Sequence, residues 1–206
     1  MYEVHAFATP NSIKVPIALE ELDLPYTLHA VNVRAGEQKA PAFLALNPNG
    51  KVPVLVDPAN ALVLAESAAI LVYLAETTGR LLPASGVDRA RVFEQLFFHA
   101  SALSPNLGNA GWARGVQPVQ DAAQTRFSGE ANRLLDLLDQ RLGTSRFVAG
   151  AELSIADIAH WGWLWRRAFA GVDFDLRPNL ARWFDELAAR PAFRRAEARI
   201  NALLPA

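Results

Sequence analysis

One change of pattern constrains this chain more than any other feature. Up to about residue 80, short β-rich runs alternate with amphipathic ones; from Pro83 onward every periodic segment is helical. Glu3 to Ala8 reads as a short strand, and Asn11 to Leu22 as a helix with apolar Ile13, Val15, Ile17, Ala18 and Leu22 beside Lys14, Glu20 and Glu21. Tyr26 to Val33 has the β-branched content of a second strand, and Pro41 to Leu46 makes a short helix stopped by Asn47-Pro48-Asn49-Gly50. Val52 to Val56 and Ala61 to Leu64 follow as strands joined by a turn at 57–60, and Ser67 to Thr78 is a helix ended by Gly79. The order β-α-β-α-β-β-α implies a small α/β domain over 1–80, a linker at 81–86 and an all-helical domain over 87–206.

In the helical part, Asp88 to Leu103 is one helix and Ser104 to Gly115, rich in Pro, Gly and Asn, reads as an irregular break. Ala122 to Leu142 places Phe127, Ala131, Leu134, Leu135, Leu138 and Leu142 on one apolar stripe. Leu153-Ser154-Ile155-Ala156-Asp157-Ile158 has the form of a capping box, Ser154 at N-cap and Asp157 reaching back from N3, with Leu153 and Ile158 as a hydrophobic staple. That makes Asp157 structural, with no catalytic role. Asn179 to Arg190 is a last amphipathic helix, stopped by Pro191.

Cys is absent from the 206 residues, which removes disulfides, thiolate metal sites and a protein-borne thiol nucleophile. Any thiol chemistry therefore belongs to a bound molecule. The four His are scattered and form no metal-ligand pair, so no metal is expected. A net charge of −1 with dispersed basic residues gives no footprint for nucleic acid. Leu62 to Ala75, the longest apolar tract, is cut by Glu66 and Ser67 and is too short for a membrane span; Met1 to His5 has no secretory character. The expectation is a cytoplasmic protein.

No G-x-G-x-x-G, Walker or G-x-S-x-G motif occurs, and two places after strands remain. Thr9-Pro10-Asn11-Ser12 offers hydroxyl and amide donors at a helix start, where an anion or thiolate is favoured; plain capping explains it equally well. Val52-Pro53 is a candidate cis peptide, which would turn the Val52 backbone outward to pair with an extended ligand. Glu66-Ser67 opens the next helix: Ser67 suits a carboxylate and Glu66 an ammonium, the two charges of an amino-acid head group. Taken singly, each is also an ordinary helix start.

Taken together, Asn-Pro-Asn-Gly-Lys-Val-Pro at 47–53, Glu66-Ser67, Ser154-Ile155-Ala156-Asp157 and the run from Arg177-Pro178 to Arg190-Pro191 resemble the cytosolic glutathione transferase superfamily over essentially the whole chain. Thr9-Pro10-Asn11 is similar to the nu class and its fungal nitrogen-regulator relatives, with Ser12 where Gly is common. The resemblance implies a thioredoxin-like N-terminal domain, an all-helical C-terminal domain and a homodimer. It implies Thr9 and Asn11 as the sulfur contacts, and Gln38, Lys51, Val52, Pro53, Glu66, Ser67 and Arg133 as further glutathione-binding residues. Trp112, Trp165 and Phe169 are the candidates for a second-substrate pocket between the domains; Trp161, Trp163 and Trp165 alternate within one helix, so at least one of them is core.

A free thiol with a pKa of about 8.5 is only a few per cent ionised near neutrality. Donors at Thr9, Asn11 and the helix start would favour the thiolate, which then attacks a disulfide or a small electrophile. Disulfide reduction ranks first, because no Tyr stands after the first strand to act as a single strong stabiliser. A non-catalytic glutathione-binding regulator, and a lyase or isomerase using glutathione as cofactor, remain as alternatives.

Overall fold

The computed structural model describes residues 1–204, and its contacts divide the chain into two units. The first comprises Met1–Arg80 together with the residues from Ala189 onward; the second is Leu81–Ala188.

The first unit is built on a four-stranded mixed sheet. Strand β1 (Tyr2–Ala6) runs parallel to β2 (Tyr26–Ala30) and antiparallel to β3 (Val54–Asp57), which pairs with β4 (Leu62–Ala65), giving the order β2-β1-β3-β4. Helix α1 (Lys14–Glu21) supplies the crossover between the parallel strands, α2 (Pro41–Leu44) precedes β3, and α3 (Ser67–Thr78) follows β4. Val4, Ala6, Ile13, Val15, Ile17, Leu19, Leu55, Ile70, Leu71 and Leu74 are fully buried, so the core lies between the sheet and these helices. At about 2 kcal/mol for each buried aliphatic side chain, this layer supplies the main stabilisation of the unit.

Strand and helix starts differ locally from the sequence expectation. The chain from Thr9 to Ile13 is a turn and α1 begins only at Lys14, because Ser12 N–H is taken by Thr9 Oγ1 (3.2 Å). β3 begins at Val54 instead of Val52; Pro53 has no N–H to give a ladder, and the Val52–Pro53 bond is cis. Pro191, expected only as a stop, opens another helix, α10 (Pro191–Asn201), with proline in the first turn, where no N–H is needed. The residues from Ala189 thus depart from the expected 87–206 grouping, because α10 packs on α1. Arg190 pairs with Glu21 through two bonds of 2.6 and 2.7 Å, and Arg195 and Arg199 reach Glu20.

The second unit is helical: α4 (Gly86–Phe98), a π-helical turn at His99–Leu103, α5 (Ser104–Gly115), α6 (Asp121–Leu142), α7 (Ile155–Leu164), α8 (Arg167–Ala170) and α9 (Pro178–Ala188). The expected break at Ser104–Gly115 is a helix. Pro105 sits in its first turn, and its glycines serve packing: a Cβ on Gly108 would lie 3.2 Å from the Trp163 ring, and one on Gly111 would lie 2.0 Å from Phe169. The α6 stripe is buried from Ala131 to Leu142 at the expected positions.

The capping box forms, and it does more than cap. Asp157, fully buried, accepts from Ser154 N–H and Ser154 Oγ on one oxygen, and from Val148 N–H and Trp183 Nε1 (both 2.9 Å) on the other. One carboxylate therefore ties the α7 start to the preceding loop and to α9. Burial pushes its carboxyl up from the ordinary value, while the four donors pull the other way.

Candidate functional site

Within the first unit, the loops leading into α1, β3 and α3 border a pocket of about 310 Å³. Its walls are Asn11, Asn47, Asn49, Lys51, Val52, Pro53, Glu66 and Ser67. It therefore gathers Asn11 of the first sequence candidate and Val52, Pro53, Glu66 and Ser67 of the second, 41 and more positions further along the chain, into one place.

The Asn47–Lys51 turn is held by a buried side chain. Asn47 Nδ2 donates to the Lys51 carbonyl at 2.7 Å and its Oδ1 accepts from Asn49 N–H at 3.0 Å. Gly50 completes the turn at φ 63°, a left-handed conformation suited to glycine. The result is a fixed rim that brings Val52 and Pro53 to the pocket just ahead of the first paired residue of β3.

Opposite in sequence, α3 starts without a side-chain cap. Glu66 stands at its N-cap with φ 68° and ψ 109°, a conformation costing a non-glycine residue about 1–3 kcal/mol. Its carboxylate is exposed at the pocket. Ser67 is the first helical residue and not the cap, so the ordinary capping role does not account for it. The first-turn amides of α3 carry partial positive charge at the same point.

Beneath Asn11 and Ser67 lies a group that the sequence reading passed over. Lys14 is 1% exposed, and its ammonium donates to Asn11 Oδ1 at 2.8 Å and to Ser67 Oγ at 3.3 Å. Burial pushes it down to about 7, against the pull of the Glu66 carboxylate. A lysine three residues after an asparagine, on a helix face otherwise composed of Val15, Ile17 and Ala18, was the available signal. Asn47 and Asn49, part of the 47–53 motif, carry no site role in the sequence pattern and line the pocket in the structure.

The other expected site residues fall in different surroundings. Thr9 does not border the pocket; its hydroxyl is engaged with Ser12, donating to Oγ at 2.9 Å and accepting from its N–H. The N–H groups of Ser12, Ile13 and Val15 are bonded inside the turn, so the cationic group beside Asn11 is the Lys14 ammonium. Gln38, in a 3-10 turn, lies beside Gly50 and has its Oε1 buried with no hydrogen-bond partner among the described residues. Arg133 belongs to α6 in the helical unit, where its guanidinium forms a two-point pair with Glu130 (2.7 and 2.6 Å). Trp112 on α5 and Phe169 on α8 are more than half exposed, and Trp165 is half-buried under Arg166. Trp161 is the core member of its series, 1% exposed and stacked on Phe184.

Chemically, the pocket combines hydroxyl and amide groups backed by an ammonium, a carboxylate, and a second ammonium at the rim. That set fits a zwitterionic, extended ligand carrying more than one anionic group. Among the described residues no cluster of three or more metal-ligating side chains occurs, and no helix is long and apolar enough to cross a membrane.

A β2-β1-β3-β4 sheet flanked by α1 and α3, with a polar pocket where the chain enters α1, β3 and α3, defines a thioredoxin-like domain, here joined to an all-helical one. Residues 8–77 match the glutathione S-transferase N-terminal domain and residues 121–186 the C-terminal domain, and the chain belongs to the glutathione S-transferase family. It is similar to the disulfide-bond oxidoreductase YfcG of Escherichia coli, 37% identical over 200 residues, covering 93% of this chain and 92% of the relative. A glutathione transferase family member from Pseudomonas fluorescens, solved with two glutathione bound, superposes with a TM-score of 0.88 at 33% identity, covering 95% and 92% of the two chains. The transferase URE2P8 of Phanerochaete chrysosporium, solved with oxidised glutathione, gives a TM-score of 0.91 at 28% identity over 98% and 96%.

Proposed function

We propose that this chain is a glutathione-dependent enzyme that holds the tripeptide in the Asn11–Ser67 pocket and reduces disulfides with its thiol. The observation that carries the reading is the convergence of Asn11, Val52, Glu66 and Ser67 on one cavity. In this proposal Ser67 and the first α3 amides take the γ-glutamyl carboxylate, and Glu66 takes the ammonium. The backbone of Val52, ahead of Pro53, pairs with the peptide, and Lys51 takes the glycyl carboxylate. Asn11 faces the sulfur. Gln38, which the resemblance implies, remains a proposed contact. Arg133 remains a proposed contact, and Trp112, Trp165 and Phe169 remain the proposed second-substrate residues.

Bound glutathione would supply the nucleophilic thiolate, and no residue at the pocket is needed as a base. Asn11 donates to the sulfur and favours its ionised form; Thr9, through its bonds to Ser12, holds the turn that presents Asn11. A relative described as glutathione S-transferase 1 in Schizosaccharomyces pombe, 36% identical, supports transfer to an electrophile as a second use of the same thiolate. Glutathione-dependent reduction of a small disulfide, measured beside conjugation of a chlorinated nitroarene, decides the ranking: brisk conjugation without reduction reverses it. Asn11→Ala with unchanged glutathione affinity and lost turnover marks an enzyme in which Asn11 acts; unchanged turnover removes Asn11 from the chemistry, and a natural chain that binds glutathione without turnover favours a binding protein. The proposal includes a cytoplasmic location and a homodimer. Exposed Val87 and Phe97 on α4 support a self-associating face, and sedimentation of the purified protein tests it.

A further inference from the structure

Two of the pocket's polar side chains touch a buried cation, Lys14. An ammonium has three donors and no acceptor, so whatever it touches must accept from it. Asn11 Oδ1 accepts at 2.8 Å, which leaves Nδ2, a donor only, as the other end of the amide. Ser67 Oγ accepts at 3.3 Å, so its own O–H is directed elsewhere and donates. Both side chains border the cavity, and Lys14, at the first position of α1, does not.

We propose that Lys14 is a positioning residue that sets the hydrogen-bonding polarity of the pocket, turning Asn11 and Ser67 into donors and gearing the site to an anionic sulfur and a carboxylate. The proposal rests on the glutathione reading for the identity of those two anions. It goes beyond that reading in assigning the donor character of Asn11 and Ser67 to a residue that touches no ligand.

Two features favour this over a lysine that merely fills space. A fully buried ammonium is costly unless its surroundings need it, and an aliphatic side chain of the same length would fill the space without that cost. Lys14 bridges the α1 entry to the α3 start, 53 residues apart, so one charge orients the groups proposed for the sulfur and for the γ-glutamyl carboxylate. Its depressed proton affinity, down to about 7, marks the same strain of burial, and Glu66 opposes it from the α3 side. A bound anion above Asn11 would favour the ammonium in turn.

The test uses the full-length protein and two variants, Lys14→Met and Lys14→Arg. Calorimetry gives the affinity for reduced glutathione and for S-methylglutathione, and thiolate absorbance near 240 nm against pH gives the ionisation of the bound thiol. With Lys14→Met the thiol pKa should rise by about one unit or more, and glutathione affinity at neutral pH should fall at least tenfold. The S-methyl analogue, which has a carboxylate but no ionisable sulfur, should lose less. Lys14→Arg, retaining a charged donor, should recover part of the thiol shift. An unchanged thiol pKa with equal losses for both ligands overturns the proposal. Circular dichroism and melting of the variants separate misfolding from a changed pocket. If the natural chain takes up neither ligand, the glutathione reading fails alone, and NMR still decides the role of Lys14. In the ligand-free protein the Asn11 side-chain amide protons should show NOEs to other pocket residues and none to the Lys14 Hε protons; the reverse pattern overturns it.

Discussion

Replacing Asp157 by alanine tests how much of the helical unit depends on one carboxylate. The substitution leaves three buried N–H donors, those of Val148, Ser154 and the Trp183 indole, without their acceptor. Each orphaned donor costs about 1–3 kcal/mol, the Ser154 N–H being the half of the capping box that is lost. Two effects work against that sum. Water can enter the vacated space, and removing the carboxyl relieves the burial that pushes its proton affinity up. A net loss of about 3–5 kcal/mol results, or about 10 °C in melting temperature for a chain of this size. Asp157→Asn keeps an acceptor for Val148 and Trp183 but turns an amide N–H toward Ser154 N–H, so about half the loss is expected. Urea unfolding followed by tryptophan fluorescence measures both, because Trp183 is itself a reporter. An alanine variant within 1 kcal/mol of the natural protein, or an asparagine variant as damaged as alanine, would refute the tie through Trp183 and Val148.

Lys14 gives a pH dependence whose sign follows from its depressed proton affinity. With a folded value of about 7 and an ordinary value of 10.5, the folded chain gives up this proton first, so stability increases between roughly pH 7 and 10.5 and is lost as pH falls through about 7. The slope from this group approaches about 1.4 kcal/mol per pH unit, and Lys14→Met should flatten it, as a comparison of urea midpoints from pH 6 to 10 would detect. Glu66→Gly relieves the left-handed φ of 68° and should keep or raise the melting temperature by up to a few degrees while weakening glutathione binding at least tenfold; a variant that binds as tightly removes Glu66 from the ligand site. Gly111→Ala drives a methyl into the Phe169 ring, and because that ring is half exposed and can swing aside, the cost should be about 1–2 kcal/mol by thermal melting.

What the sequence made legible was what local chemistry dictates. The capping box around Ser154 and Asp157 and the leucine stripe of α6 depend on spacing alone, and both stand as expected. Val52-Pro53 and Glu66-Ser67 were legible as a pair, because each lies beside a turn and the fold brings such turns to one edge of the sheet. Two readings failed for a shared reason. Glycine and proline in Ser104–Gly115 signalled a break, yet there they admit Trp163 and Phe169 to a helix surface, a need that arises only once α7 and α8 are in place. Pro191 read as a terminator when it was also an initiator. Lys14 escaped because a lone lysine in a helix looks solvated; only the tertiary structure shows that it is sealed under Asn11 and Ser67. The resemblance implies Thr9 as a sulfur contact; that its hydroxyl also donates to Ser12 Oγ depends on how the turn folds, which spacing alone does not reveal.

The place of α10 in the first unit has a consequence for how the chain is made. Arg190 and Glu21 are 169 residues apart, and the entire helical unit is synthesised between them. At about 5–20 residues per second, a ribosome needs roughly ten seconds or more to cover that distance. During that interval the sheet and α1 are out of the ribosome, but Glu20 and Glu21 have no guanidinium to meet, and the face of α1 that α10 covers stays open. The pocket-bearing unit is therefore a late product of translation despite its early start. The helical unit, Leu81–Ala188, is one uninterrupted stretch of chain and is able to close first. Unfinished chains would expose the same α1 face, a mark by which a chaperone can tell them from finished ones.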